Sequence, residues 1–274
     1  MVLFPNCKIN LGLNITHKRD DGYHDLETVF YPVTWQDALE GIRSGVRSWE
    51  SGIVFSASGL SVEGNEDDNL CVKAYHLLKK YHTALGPVHL YLHKVIPTGA
   101  GLGGGSSDGA FTLILLDQLF QLGLSQEQLL RHALELGSDC PFFILNQPCL
   151  ATGRGEKMES IQLDLSAYSF VIVHPTIHIS TTNAFAGITP RTPERKIKDI
   201  IQQPVETWKE WLLNDFEAGL CKQYPEIGQI KESLYTYGAV YASITGSGSA
   251  VFGLFEKNKR INFSYPSCRV YQTN

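Results

Sequence analysis

A chain of 274 residues, 43% hydrophobic and 19% charged, has the length for two domains and enough apolar surface to give each a core. A formal net charge of −5 with no basic stripe argues against nucleic acid as a partner, so any anion has to be held locally. No apolar run approaches the roughly 18 residues of a membrane span; the N-terminal MVLFPNCKIN lacks a signal-peptide pattern and the cysteines contain no C-x-x-C pair, which points to reduced thiols in a cytoplasm.

In chain order, residues 1 to about 60 are predicted to be strand-rich: KINLGLNIT, HDLETVFYPV and GIVFSAS alternate, with turn signals at Asp20-Asp21-Gly22 and Glu63-Gly64-Asn65. Asp67 or Asp68 then caps a helix whose apolar residues Leu70, Val72, Ala74, Leu77, Leu78 and Tyr81 have helical spacing, stopped by Gly86-Pro87. Residues 88 to 96 alternate as a strand, which disposes of a metal site: His89 and His93 would lie roughly 13 Å apart along it and cannot share one zinc ion. Ser125 and Gln128 form a capping box for a helix over 126–136, ended by Gly137. SDCPFFILNQPCLATGRGE reads as loop, strand and a domain boundary. Beyond it come the strand SFVIVHP, a polar loop, a Lys/Arg-rich segment, two helices and the strands YASI and AVFGLF.

Residues 94 to 109, KVIPTGAGLGGGSSDG, carry the strongest chemical signal. Gly99, Gly101, Gly103, Gly104 and Gly105 leave backbone N–H groups uncovered and permit φ > 0, and Ser106 and Ser107 add hydroxyls. The loop runs directly into an apolar segment, Phe111 to Phe120, that suits a buried helix with its N-terminal dipole aimed at a phosphate. It is not a Walker loop, because no lysine lies between Lys94 and Lys157. Gly99, Gly101 and Gly104 match G-x-G-x-x-G literally, but Asp117 falls inside the helical run where a dinucleotide fold would need an acidic strand end.

A second glycine loop, Thr245-Gly246-Ser247-Gly248-Ser249, sits between two strands; alone it is an ordinary tight turn, and beside the first it reads as another wall of a triphosphate site. Asn6, Lys8 and Asn10 share one strand face, either solvated or holding a lysine among buried groups where it can stabilise phosphate charge. Asp139 is the carboxylate to pair with Lys8, its alternative role being the N-cap of a turn opened by Pro141.

Taken together, PNCKINLGLNI, DGYHDLETVF, PTGAGLGGGSSDGA, GSDCPFF and ITGSGSAVFGLF resemble the ordered motif series of the small-molecule kinases named after galactokinase, homoserine kinase, mevalonate kinase and phosphomevalonate kinase, over residues 4 to about 255. The resemblance is nearest to a branch that phosphorylates a cytidine-diphosphate-linked sugar alcohol in non-mevalonate isoprenoid biosynthesis. It implies an α+β protein of two domains, 1–151 resembling ribosomal protein S5 domain 2 and 152–274 a ferredoxin-like α/β sandwich, with the active site in the cleft between them. It implies Asp139 as general base and Lys8 as its charge-neutralising partner, with ATP on Pro97, Gly99, Gly101, Leu102, Gly103, Gly104, Gly105, Ser106 and Ser107, with Gly246, Ser247 and Gly248 nearby. Asn69 and Lys94 match positions near the adenine; Tyr23 and His24 match a cytosine-binding pair, with Phe185 as second stacking aromatic or else a core residue, and Asn10 and Thr181 as further substrate contacts. Magnesium would bridge the phosphates, though its protein ligands are unassigned. The partners implied are small molecules only, no nucleic acid and no membrane, in a monomer or homodimer. Two other function classes stay open: a relative acting on homoserine or mevalonate, and a non-catalytic sensor on the same fold. The tail after Phe255 matches nothing, and Gly109 stands where alanine is common.

Overall fold

The computed structural model describes residues 1–44, 52–62, 64–257 and 261–273. The first half runs β1 (Val2–Leu3), β2 (Asn6–Lys18), β3 (His24–Gln36), β4 (Ala38–Arg43), β5 (Ile53–Gly59), α1 (Leu70–Tyr81), β6 (Val88–Lys94), α2 (Gly104–Phe120), α3 (Gln126–Leu136) and α4 (Cys140–Leu145). The second runs β7 (Cys149–Gly153), β8 (Lys157–Ser160), β9 (Tyr168–His174), α5 (Thr181–Ala186), α6 (Ile197–Ile200), α7 (Trp208–Trp211), α8 (Glu217–Gln223), α9 (Pro225–Thr236), β10 (Tyr241–Ile244), β11 (Val251–Glu256) and β12 (Arg269–Gln272).

One compact unit comprises Met1–Cys7, Thr34–Thr98 and Gly103–Asn146. Its sheet has the order β1-β4-β6-β5 and is mixed, because β4 meets β6 antiparallel while β5 meets it parallel. On β6 the alternation turns Val88, Leu90 and Leu92 into the core and leaves His89 and His93 to hydrogen-bond Ser56 and Ser58, as strand neighbours and not as a metal pair. Among the described residues no group of three or more His, Cys, Asp or Glu is placed to hold a metal. Helix α2 is buried along most of its length, and Gly109 explains how closely α1 approaches it: a Cβ there would stand 2.8 Å from the Cβ of Leu70. The helix predicted over 126–136 has its complete capping box.

The other unit comprises Lys8–Val33, Gly99–Leu102 and Gln147–Asn274. It contains the sheet β2-β3-β7-β8 and a second, antiparallel sheet of order β10-β11-β9-β12. The core between the latter and its helices uses Val171, Val173, Ile227, Ile230, Leu234, Ile244 and Val251.

Several sequence expectations need correction. The cap of α1 is neither Asp67 nor Asp68, which lie in a 3-10 turn, but Asn69, whose side-chain oxygen accepts from the Cys71 amide at 2.8 Å. Strand β6 stops at Lys94 and not at residue 96, because the amides of Val95 and Ile96 donate to the Asp37 carboxylate instead of a neighbouring strand. The unassigned tail supplies β12, paired with β9. The apolar run after Pro141 is the short helix α4, and the region between 191 and 236 holds several short helices where two were expected. In the predicted turn Glu63-Gly64-Asn65, Glu63 lies outside the described residues, as do positions 258–260 of the tail.

Candidate active site

Strand β2 brings Lys8 and Asn10 to the same face, and the structure buries both. Lys8 is 3% exposed; its Nζ donates to Asn10 Oδ1 at 2.7 Å and to the Gly101 carbonyl at 2.9 Å, and it lies 5.0 Å from the centre of the Phe30 ring. The Gly101 carbonyl also accepts from Thr245 Oγ at 3.0 Å, and the Lys8 amide donates to the Leu102 carbonyl at 3.0 Å. The tip of the first glycine loop is thus laced to β2 and to the second glycine loop. Gly101 makes that closeness possible: it has φ +78°, and a Cβ on it would stand 2.0 Å from the Thr245 carbonyl oxygen. Gly246, at φ +55°, lies against Gly101 in the same way, so these glycines are required by backbone meeting backbone. The amide of Ala250 completes the lacing by donating to the Ala100 carbonyl.

The rest of the loop opens α2. Gly103 is its N-cap in the left-handed conformation and offers no side chain to the first-turn amides, which are left without a side-chain cap. Ser107 Oγ on that turn is fully buried and has no hydrogen-bond partner among the described residues. Beneath the turn, Lys94 is 1% exposed and its ammonium is held by the carboxylates of Asp37 and Asp108, the latter at 2.8 Å. Pro97, three residues on in the chain, is also buried. Gly104 must lack a side chain because its Cβ would meet Ile96 at 2.9 Å and Lys94 Nζ at 3.0 Å. Burial pushes the Asp108 carboxyl up to about 7 against the opposing pull of Lys94, as expected where one lysine serves two buried carboxylates. Burial alone would lower the Lys94 ammonium, but Asp108 and Asp37 outweigh it and its pKa is raised.

Asp139 occupies the N-cap position of α4 with helical backbone angles, but its carboxylate makes no capping hydrogen bond there. Burial pushes the thiol of its neighbour Cys140 up to about 12.

Asn69 combines its capping bond with a place on the wall of a cavity of about 340 Å³, lined also by Phe55, Ser58, Gly59, Leu60 and Asn65. The Leu60 amide donates to the Lys94 carbonyl, so Lys94 adjoins this cavity through its backbone while its ammonium is engaged with the carboxylates. Of the three aromatic residues expected at a cytosine, the structure brings together His24 and Phe185, stacked at 4.7 Å with 19° between the rings. Tyr23 is 55% exposed and lies under the Arg154 guanidinium at 4.8 Å. A base sandwiched between two rings needs them about 7–8 Å apart, twice a van der Waals contact, so a pyrimidine entering between His24 and Phe185 displaces one of them. Phe185 is also anchored edge-on to Phe216 at 4.9 Å, and Thr181 is exposed at the start of α5.

Nothing in the local pattern marks Thr28 or Asp37, because their partners are brought in from other strands. Asp108 is visible as the carboxylate closing the glycine motif, but its pairing with Lys94 is not.

Residues 69–147 match the family model for the GHMP kinases N terminal domain, and residues 197–264 match that for GHMP kinases C terminal. The chain belongs to the GHMP kinases. Among relatives of this GHMP kinase, the 4-diphosphocytidyl-2-C-methyl-D-erythritol kinase of Bacteroides thetaiotaomicron is 55% identical over 259 residues, covering 93% of this chain and 92% of its own. A crystal structure of 4-(cytidine 5'-diphospho)-2C-methyl-D-erythritol kinase superposes with a TM-score of 0.79 at 30% identity over 93% of this chain and 90% of that one. The mevalonate kinase of Methanococcus jannaschii shares the fold at TM-score 0.70 and 16% identity, covering 99% and 97% of the two chains. Among the described residues no helix is long and apolar enough to cross a membrane.

Proposed function

We infer that this GHMP kinase transfers the γ-phosphoryl group of ATP to the 2-hydroxyl of 4-diphosphocytidyl-2-C-methyl-D-erythritol, a step of non-mevalonate isoprenoid biosynthesis. The observation that carries the chemistry is the buried Lys8 ammonium, tied to the Gly101 carbonyl of the glycine loop. The relatives' names supply the acceptor.

In the reaction the acceptor oxygen forms a bond to the γ-phosphorus as the bond to the β–γ bridging oxygen breaks and ADP leaves. Asp139 takes the acceptor's proton, and Lys8 offsets the negative charge on the transferring group. Such a transfer relies on positioning and electrostatics more than on covalent chemistry. The bare first-turn amides of α2 and the residues Gly99 to Ser107 receive the phosphates, with Gly246, Ser247 and Gly248 beside Gly101. The cavity at Asn69 takes the adenine. Ser107, whose buried hydroxyl has no partner among the described residues, would hold magnesium, which would supply neutralisation of phosphate charge. Tyr23, His24 and Phe185 hold the cytosine, with Asn10 and Thr181 toward the rest of the acceptor. The division into 1–151 and 152–274, the S5-like and ferredoxin-like descriptions of the halves, the cleft site and a cytoplasmic location belong to the same proposal.

Purified protein with ATP and magnesium should release ADP with 4-diphosphocytidyl-2-C-methyl-D-erythritol and not with homoserine, mevalonate or galactose. Asp139→Asn and Lys8→Ala should each lower kcat at least about 10²-fold, the lower range for a general base. ADP release with homoserine or mevalonate would move the acceptor assignment, and more than half the activity in either variant would remove its role.

A further inference from the structure

We infer that Thr28 is a positioning residue for phosphoryl transfer: its hydroxyl fixes the Asn10 side-chain amide so that the oxygen, and never the NH₂, meets the Lys8 ammonium. The inference rests on the role given to Lys8 above.

An ammonium has only donors, so the partner at 2.7 Å from Lys8 Nζ has to be an acceptor, Asn10 Oδ1. That choice sends Asn10 Nδ2 to the opposite side, where it meets Thr28 Oγ1 at 3.0 Å. Having accepted there, the Thr28 hydroxyl spends its single hydrogen on the Gly12 carbonyl. Thr28 and Asn10 are both buried, which shuts out water as a substitute partner. Thr245 cannot make the same distinction. Its Oγ accepts from the Asn10 backbone amide and lies within reach of both Asn10 Oδ1 and the Gly101 carbonyl, so it supports the oxygen without reading the NH₂ side.

The two orientations of an amide have nearly the same shape, so packing does not choose between them. The choice falls to the polarity of the neighbours, and on the NH₂ side that neighbour is Thr28. With valine at position 28, the observed orientation leaves a buried N–H without an acceptor. The flipped orientation turns that N–H against the Lys8 ammonium, donor to donor. The first case loosens and the second removes the Asn10 oxygen, one of the acceptors that aim Lys8 beside the Gly101 carbonyl.

The test is steady-state kinetics of ADP release for Thr28→Val and Thr28→Ser, each in the wild-type and Asn10→Ala backgrounds, with Lys8→Ala alongside. Thr28→Val keeps the shape and should lower kcat about 10-fold while leaving both KM values within about two-fold, the signature of an interaction lost in the transition state. Thr28→Ser restores the hydroxyl and should return kcat to within about two-fold of wild type. In the Asn10→Ala background Thr28→Val should cost nothing further, because the amide it orients is gone. Thr28→Ala, expected to behave as Thr28→Val, serves if the valine variant does not fold. Wild-type kcat in Thr28→Val with Lys8→Ala inactive would overturn the inference alone, as would an equal loss in the Asn10→Ala background. An active Lys8→Ala would instead overturn the role of Lys8 on which it rests.

Discussion

Replacing Gly101 by alanine tests the lacing of the two glycine loops most directly. The added Cβ would stand 2.0 Å from the Thr245 carbonyl oxygen, a backbone atom that has no rotamer with which to yield, and the residue must hold φ +78°. An L side chain in that conformation costs roughly 1–2 kcal/mol, which for a chain of this size lowers the melting temperature by about 2–8 °C. The activity loss has a separate origin. Displacing Gly101 moves the carbonyl that accepts from both Lys8 and Thr245, and a hydrogen bond to a charged group is worth about 1.5–3 kcal/mol. If that bond counts in the transition state, kcat should fall about 10- to 150-fold. Gly105→Ala provides the contrast, since among the described residues no atom beyond its chain neighbours and its own helix backbone lies within 4 Å of its Cβ, and its φ is ordinary. That variant should melt like wild type, and a raised KM for ATP would report phosphate approaching the bare helix turn. Gly101→Ala with wild-type kcat and melting temperature would refute the reasoning, because a contact of 2.0 Å between non-bonded atoms cannot be absorbed without movement.

The features readable in the sequence were those that sit within one stretch of chain. The glycine loop, the box of Ser125 and Gln128, the alternation that rules out a zinc site at His89 and His93, and the shared face of Lys8 and Asn10 all follow from local spacing. Strand β4 escaped because ALEGIR carries Gly41 and a glutamate in place of a clean alternation, and Gly41 is needed where a Cβ would run into Leu115. What could not be read was the pairing of polar groups across the fold. Lys94 matches a position near the adenine, yet Asp37 and Asp108, 57 and 14 residues away in the chain, hold its ammonium in the interior. Likewise, the order DGYH gave no means of deciding which ring faces Phe185, since the turn before β3 sends Tyr23 to Arg154 and leaves His24 to stack.

Gly109→Ala should lower stability by about 1–3 kcal/mol, the usual cost of overpacking, because the clash at 2.8 Å is with the rigid Cβ of Leu70; an unchanged melting curve would mean α1 shifts freely on α2. Phe185→Ala should raise KM for the cytidine substrate about 5- to 150-fold, the equivalent of about 1–3 kcal/mol of base stacking, with KM for ATP unchanged; an equal rise for both would show that Phe185 only supports the fold. The last prediction concerns pH. Burial raises the Asp108 carboxyl from 3.8 to about 7, so between those values the folded state binds more protons than the unfolded one. By linkage, the stability this group confers is complete below about pH 4, declines as pH rises, and is gone above about pH 7. Asp108→Asn cannot titrate, and it leaves Lys94 paired with Asp37. Relative to that variant, the wild-type melting temperature should therefore fall progressively from about pH 4 to about pH 7. Parallel curves for the two proteins across that range would place the Asp108 proton elsewhere, and a wild type that gained stability with rising pH relative to the variant would mean that Lys94, and not burial, governs the carboxyl.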